Sequence, residues 1–157
     1  MKRVIWYIVI LASVLAAPVK PMNVGELIPV RVVSVQEENG WVVIKTDTGN
    51  KGLGGTPKQA LRNLKDTACG EIYLDTAEFL LLGEGGGDAA EELRGELRRC
   101  VRVCETANAV DLSQAAKFLS VHGSLPKLKD WKSGSELPVL STFGESLIFL
   151  KKVEKSS

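Results

Sequence analysis

The residues best placed to do chemistry sit in the loop GEGGGD, Gly83 to Asp88, between the apolar run FLLL and an amphipathic stretch. That setting is the one in which a dinucleotide-binding fingerprint occurs, with glycine at its first, third and sixth positions. Gly83 and Gly85 fit, but the sixth position is Asp88. A carboxylate at a helix N-terminus competes for the place where a pyrophosphate must sit, and Glu84 adds negative charge. No Lys-Ser/Thr pair follows the glycines, so the loop is not a phosphate loop of the other common kind. It reads as a plain capped connection.

Nucleophilic catalysis by Ser or Cys asks for a positioned base. His122 is the only histidine. It follows a helical stretch and has no GxSxG or Cys-His context, so it reads as a partner for the helix C-terminal dipole. The carboxylates Asp75, Glu78 and Glu84 flank FLLL, but their spacing does not resemble a calcium loop, and they read as solvated strand ends. Cys69, Cys100 and Cys104 are odd in number, which argues against a complete disulfide framework. With one histidine and no CxxC pair, they do not resemble a zinc set. They read as small packing residues, with a reversible or intermolecular disulfide as the alternative. Trp41, Trp131 and Phe143 could line a binding surface, although isolated aromatics more commonly pack in cores or hairpins. The residues therefore assign no catalytic, cofactor-binding or metal site, and no cofactor. The expectation is a protein that is not an enzyme, an inference by association because folds and sites vary independently.

The elements that would carry these residues follow from periodicity and caps. Leu27 to Val35 alternates, Asn39-Gly40 is a strong hairpin turn, and Trp41 to Thr46 returns as a β-branched strand. Pro29 places the first strand at an edge or a bulge. Gly49 to Gly55 reads as a loop. Thr56, Pro57 and Gln59 supply the cap, first position and capping-box partner of a helix whose buried face is Ala60, Leu61, Leu64 and Ala68. Ile72 to Leu74 is a short extended piece, and Phe79 to Leu82 a buried central strand. Asp88 with Glu91 reads as the capping box of a second helix, with Ala89, Leu93, Leu97 and Cys100 on its apolar side. Val103 to Val110 reads as a strand. Asp111 to Gln114 opens a third helix, which runs to Val121. Pro126, Gly134 and Pro138 mark a loop-rich region, and Leu147 to Leu150 closes as a strand. This order predicts an α+β fold, a mixed β-sheet with three helices packed against it.

The N-terminus points to export. Lys2 and Arg3 precede an uncharged run, Val4 to Ala17, of about 14 residues, roughly 21 Å of helix. A bilayer core of about 30 Å asks for about 20 such residues, so the run suits a signal peptide or an N-terminal anchor. The expected organisation is a signal or anchor over residues 1–17, a linker over 18–25, one domain over 26–152, and a polar tail over 153–157. A hydrophobic share of 45% with 25% charged residues describes a folded globule. The formal net charge of +1 gives no basic stripe for nucleic acid.

The order of motifs resembles the spore-germination Ger(x)C family, the C subunits of bacterial nutrient germinant receptors. The resemblance rests on ALRNL (Ala60–Leu64), EIYLDTAEFLLLGEG (Glu71–Gly85), the capped helix, strand and helix that follow, and the stretch GSELPVLSTFGESLIFLKK (Gly134–Lys152). GELIPVRVVSV and NGWVVIKTD stand where the family's first strand pair is expected. It covers about residues 25–152 and only the first of the family's three domains. These are packing motifs. The family's lipobox cysteine is absent, with Ala16-Ala17-Pro18 in its place. The resemblance implies a non-enzymatic, extracytoplasmic domain, membrane-associated or secreted, acting at the outer face of a membrane on protein partners such as germinant-receptor subunits. A generic exported domain binding a small molecule or a protein, unrelated to germination, is the alternative.

Overall fold

The structure is a computed structural model that describes residues 27–122 and 124–150. The expected export segment, the linker and the polar tail lie outside the described residues.

Seven strands form one mixed sheet. In chain order they are β2 (Val32–Glu38), β3 (Trp41–Thr46), β4 (Lys51–Gly54), β6 (Phe79–Leu82), β7 (Arg102–Thr106), β8 (Val139–Phe143) and β9 (Ser146–Leu150). In space they run β4-β3-β2-β6-β7-β8-β9. The four from β2 through β8 are parallel, and an antiparallel hairpin closes each side. β1 (Leu27–Pro29) and β5 (Glu71–Tyr73) form a separate parallel pair. The helices are α1 (Pro57–Thr67), α2 (Gly86–Leu93) and α3 (Leu112–Val121). This is the α+β architecture the pattern predicts.

The sheet's alternation divides the core in two. Val33, Val35, Leu80, Leu82 and Val103 point to the side covered by α1, α2 and Trp131. Val32, Phe79, Leu81, Cys104 and Leu140 point to the side covered by α3. The middle strands are buried on both faces, which is why FLLL is a continuous apolar run.

Local chemistry sets most boundaries as read. Asn39 (φ 53°) and Gly40 (φ 77°) make the tight turn between β2 and β3. The Gln59 amide donates to Thr56 Oγ1 (3.3 Å), and Pro57 begins α1. Asp111 Oδ1 accepts from the Ser113 and Gln114 amides, and these bonds, that of Gln114 foremost, hold its carboxyl below the usual value.

Four expectations are corrected. The first strand is two: β1 pairs with β5, the chain breaks at Val30-Arg31, and β2 then joins the large sheet. The loop 49–55 contains β4, which pairs with β3, and its glycines let α1 lie directly on it. A Cβ at Gly52 would stand 2.2 Å from the Ala60 carbonyl oxygen. Asp88 does not cap α2. Gly85 (φ 66°) is the cap, the Gly86 amide donates to the Gly83 carbonyl, and Asp88 accepts from the Ser133 hydroxyl (2.8 Å). Finally, the loop-rich stretch contains β8, which pairs with β9 across the turn at Gly144.

Candidate functional site

Parallel strands bring their carboxyl ends to one side of a sheet, where ligands of open α/β sheets commonly bind. A cleft of about 450 Å³ lies there, lined among others by Gly83, Glu84, Glu105, Thr106, Trp131 and Ser135. The Gly83–Gly87 loop forms one wall, and the α2 N-terminus carries no side-chain cap. Trp131 is 3% exposed, and its indole Nε1 has no hydrogen-bond partner. The Arg94 guanidinium lies over the Trp131 ring at 5.6 Å and donates to the Trp131 carbonyl. Glu37 and Glu38 join Glu84 around the adjoining cleft. The acidic lining is poor ground for a pyrophosphate.

The other residues singled out by type are not brought together. His122 ends α3. Its backbone amide donates to the Phe118 carbonyl, its Nδ1 is 3.0 Å from the same oxygen, and its ring stacks on Phe118 with centroids 4.3 Å apart. That geometry uses the imidazole to finish the helix. Asp75 and Glu78 precede β6 while Glu84 follows it, so the strand separates them. Glu78 is held by Arg31 (3.2 Å) and Arg102 (3.6 Å). Among the described residues no group of three or more His, Cys, Asp or Glu is placed to hold a metal ion. Trp41 and Phe143 are exposed at hairpin tips, and Trp131 is core.

The cysteines separate by environment. Cys104 is buried in β7, and burial, then Glu105, pushes its thiol up to about 12. Cys69 and Cys100 are exposed, which corrects the expectation that all three pack as small apolar residues. The turn after α2 has left its helix by Leu97, so Cys100 faces solvent. A thiol reagent at pH 8 should therefore titrate two thiols rapidly in the native protein and the third only in denaturant. Rapid reaction of all three would show that β7 opens readily.

The two edges of the sheet differ in how they are closed. At β4, α1 lies over the strand, Lys51 stands at its start, and the Leu53 amide donates to Asn63 Oδ1 (3.0 Å). Such devices are how proteins blunt an edge. β9 has no counterpart among the described residues. It reads Ser-Leu-Ile-Phe-Leu, without a charge, proline or bulge between Ser146 and Leu150. Leu147 and Phe149 are partly buried beside α3, while Leu150, and Phe143 at the other end of the hairpin, are exposed. The sequence identifies Leu147 to Leu150 as the last strand but does not show that it stands at an edge of the sheet.

No family model matches the chain, and no curated protein or solved structure matches it.

Proposed function

We propose that this domain is a non-enzymatic interaction module at the outer face of a membrane, of the kind that forms the first domain of spore-germination receptor C subunits. The observation that carries the reading is the contrast between the sealed β4 edge and the open, apolar β9 edge. An unprotected edge is a template for strand addition, in which backbone hydrogen bonds supply affinity and alternate side chains supply specificity. The partner is a membrane-spanning receptor subunit that presents an extended apolar segment to β9. The N-terminal run and the order of motifs support export and the family reading. Among the described residues no helix is long and apolar enough to cross a membrane.

A photoreactive amino acid at Ile148, carried by the full chain in its native membranes, should form an adduct with a membrane-spanning receptor subunit. The same group at Leu53, on the sealed edge, should form none. Equal labelling at both positions, or labelling at neither, would sink the proposal. A second reading, small-molecule binding in the strand-end cleft, is favoured by the unpartnered indole of Trp131, which lines that cleft.

A further inference from the structure

The clefts at the two ends of the sheet differ in the sign of the charges that line them, although Lys45 holds Glu38 at one end (3.2 Å). The clefts at the carboxyl ends of the parallel strands are lined by Glu37, Glu38, Glu84 and Glu105, and by no lysine or arginine. At the opposite end a cleft of about 520 Å³ is lined by Arg94, Arg99 and Lys129 with Gly95, Leu97 and Leu128, and by no acid. The backbone fixes this arrangement. The turn after α2 carries Arg98 and Arg99 toward the start of β7. The 127–129 segment runs beside it through bonds from the Leu128 amide to the Val101 carbonyl (2.7 Å) and from the Lys129 amide to the Arg99 carbonyl (3.1 Å).

Acids do occur near this end, and most are engaged. Glu78 holds Arg31 and Arg102, Glu96 holds Lys65 (3.5 Å), and Glu91 holds Arg94 (2.8 Å). Asp47, beside the start of β2, accepts from the Arg31 and Val32 amides (3.1 and 3.2 Å), and Asp75 and Asp130 remain. Arg99, Lys127 and Lys129 are exposed and have no ion-pair partner among the described residues. In a chain of net charge +1, this is a separation of charge, not an excess of it.

We infer that the cleft of Arg94, Arg99 and Lys129, flanked by Lys127, is a docking surface for the phosphodiester headgroups of an anionic membrane. The inference rests on the reading of the domain as a membrane-face module and adds how it stands there. The amino ends of β2, β6 and β7 face the lipid, the acidic ends point away, and β9 lies at the side. A phosphate takes charge-assisted hydrogen bonds from a guanidinium and an ammonium. Basic residues near an anionic bilayer contribute roughly additively, within about a Debye length.

The test is partition of the full chain between buffer and vesicles of phosphatidylglycerol and phosphatidylcholine, against vesicles of phosphatidylcholine alone. The apolar N-terminal run binds either vesicle, so the quantity to read is the ratio of the two partition coefficients. That ratio should fall at least about 30-fold in Arg99→Glu/Lys129→Glu, since reversing two cations replaces two attractions with repulsions. It should also collapse in high salt. Lys58→Glu/Arg62→Glu, on the exposed side of α1, changes net charge equally and should leave most of the ratio intact. A ratio near one for the unaltered chain overturns the inference, as does an equal loss in both double variants. So does capture by heparin without preference between the vesicles. Failure here with the Ile148 adduct intact sinks the lipid surface alone, whereas loss of that adduct sinks the module reading.

Discussion

Replacing Phe79 with alanine is expected to lower the free energy of unfolding by about 3–5 kcal/mol, the range for truncating a fully buried phenylalanine. Phe79 opens β6 and is 0% exposed. Val32 of β2 pairs with it on one side and Arg102 of β7 on the other. Its ring packs in the cluster beneath α3, and the Arg102 guanidinium lies over it at 4.2 Å. Two ladders hold the backbone, so the neighbours cannot collapse into the space left behind, and the cavity persists. A domain of this size is stable by about 5–15 kcal/mol, so the loss is a large share of the whole. With a urea slope of about 1–3 kcal/mol/M, the unfolding midpoint should drop by at least about 1 M. Phe79→Leu keeps most of the volume and should cost less than half as much. A loss under about 1 kcal/mol for the alanine variant would mean that the α3 side is loosely packed.

What could be read in the sequence was local. The turn at Asn39-Gly40, the caps at Thr56 and Asp111, and the continuous FLLL strand each depend on residues close in the chain, and each stands as read. The misreadings all needed a distant contact. Glycine at 52 and 54 has the composition of a loop, and it is the pairing with β3, beneath α1, that makes it a strand. The run Gly85-Gly86-Gly87 hides the first turn of α2, which starts before Asp88 at a residue where a Cβ would stand 2.2 Å from the Val35 carbonyl oxygen. VLSTF, between Pro138 and Gly144, is a strand because SLIFL returns beside it. The candidate surfaces were least legible. Periodicity shows that Leu147 to Leu150 is apolar but not whether a neighbour covers it. The separation of charge exists only because parallel strands send Arg99 and Glu105, a few residues apart, to opposite ends of the sheet.

The sealed edge yields the second large effect. Gly52→Ala should destabilise by about 3 kcal/mol, the upper part of the range for overpacking. A Cβ there would stand 2.2 Å from the Ala60 carbonyl oxygen and 2.7 Å from the amide nitrogen and Cβ of Leu64. Two of those three atoms are backbone, so rotating a side chain cannot relieve the clash. Either α1 lifts from β4 or the strand pair β3–β4 bends away. Local propensity predicts the opposite sign, because glycine weakens a strand and alanine reduces the freedom of the unfolded chain. Gly55→Ala separates the two effects. Its added Cβ meets only the end of the Gln59 side chain at 3.5 Å, and its φ is not positive, so it should be neutral or slightly stabilising. Urea midpoints for the two variants, measured side by side, decide the matter. A Gly52→Ala midpoint equal to that of Gly55→Ala would show that α1 does not hold the contact. If the midpoints separate as expected, Gly52→Ala also exposes β4, and that variant should form more oligomers as it unfolds than the parent, since the β9 edge is the same in both. The glycines at 52 and 54 are then what keeps α1 seated on β4.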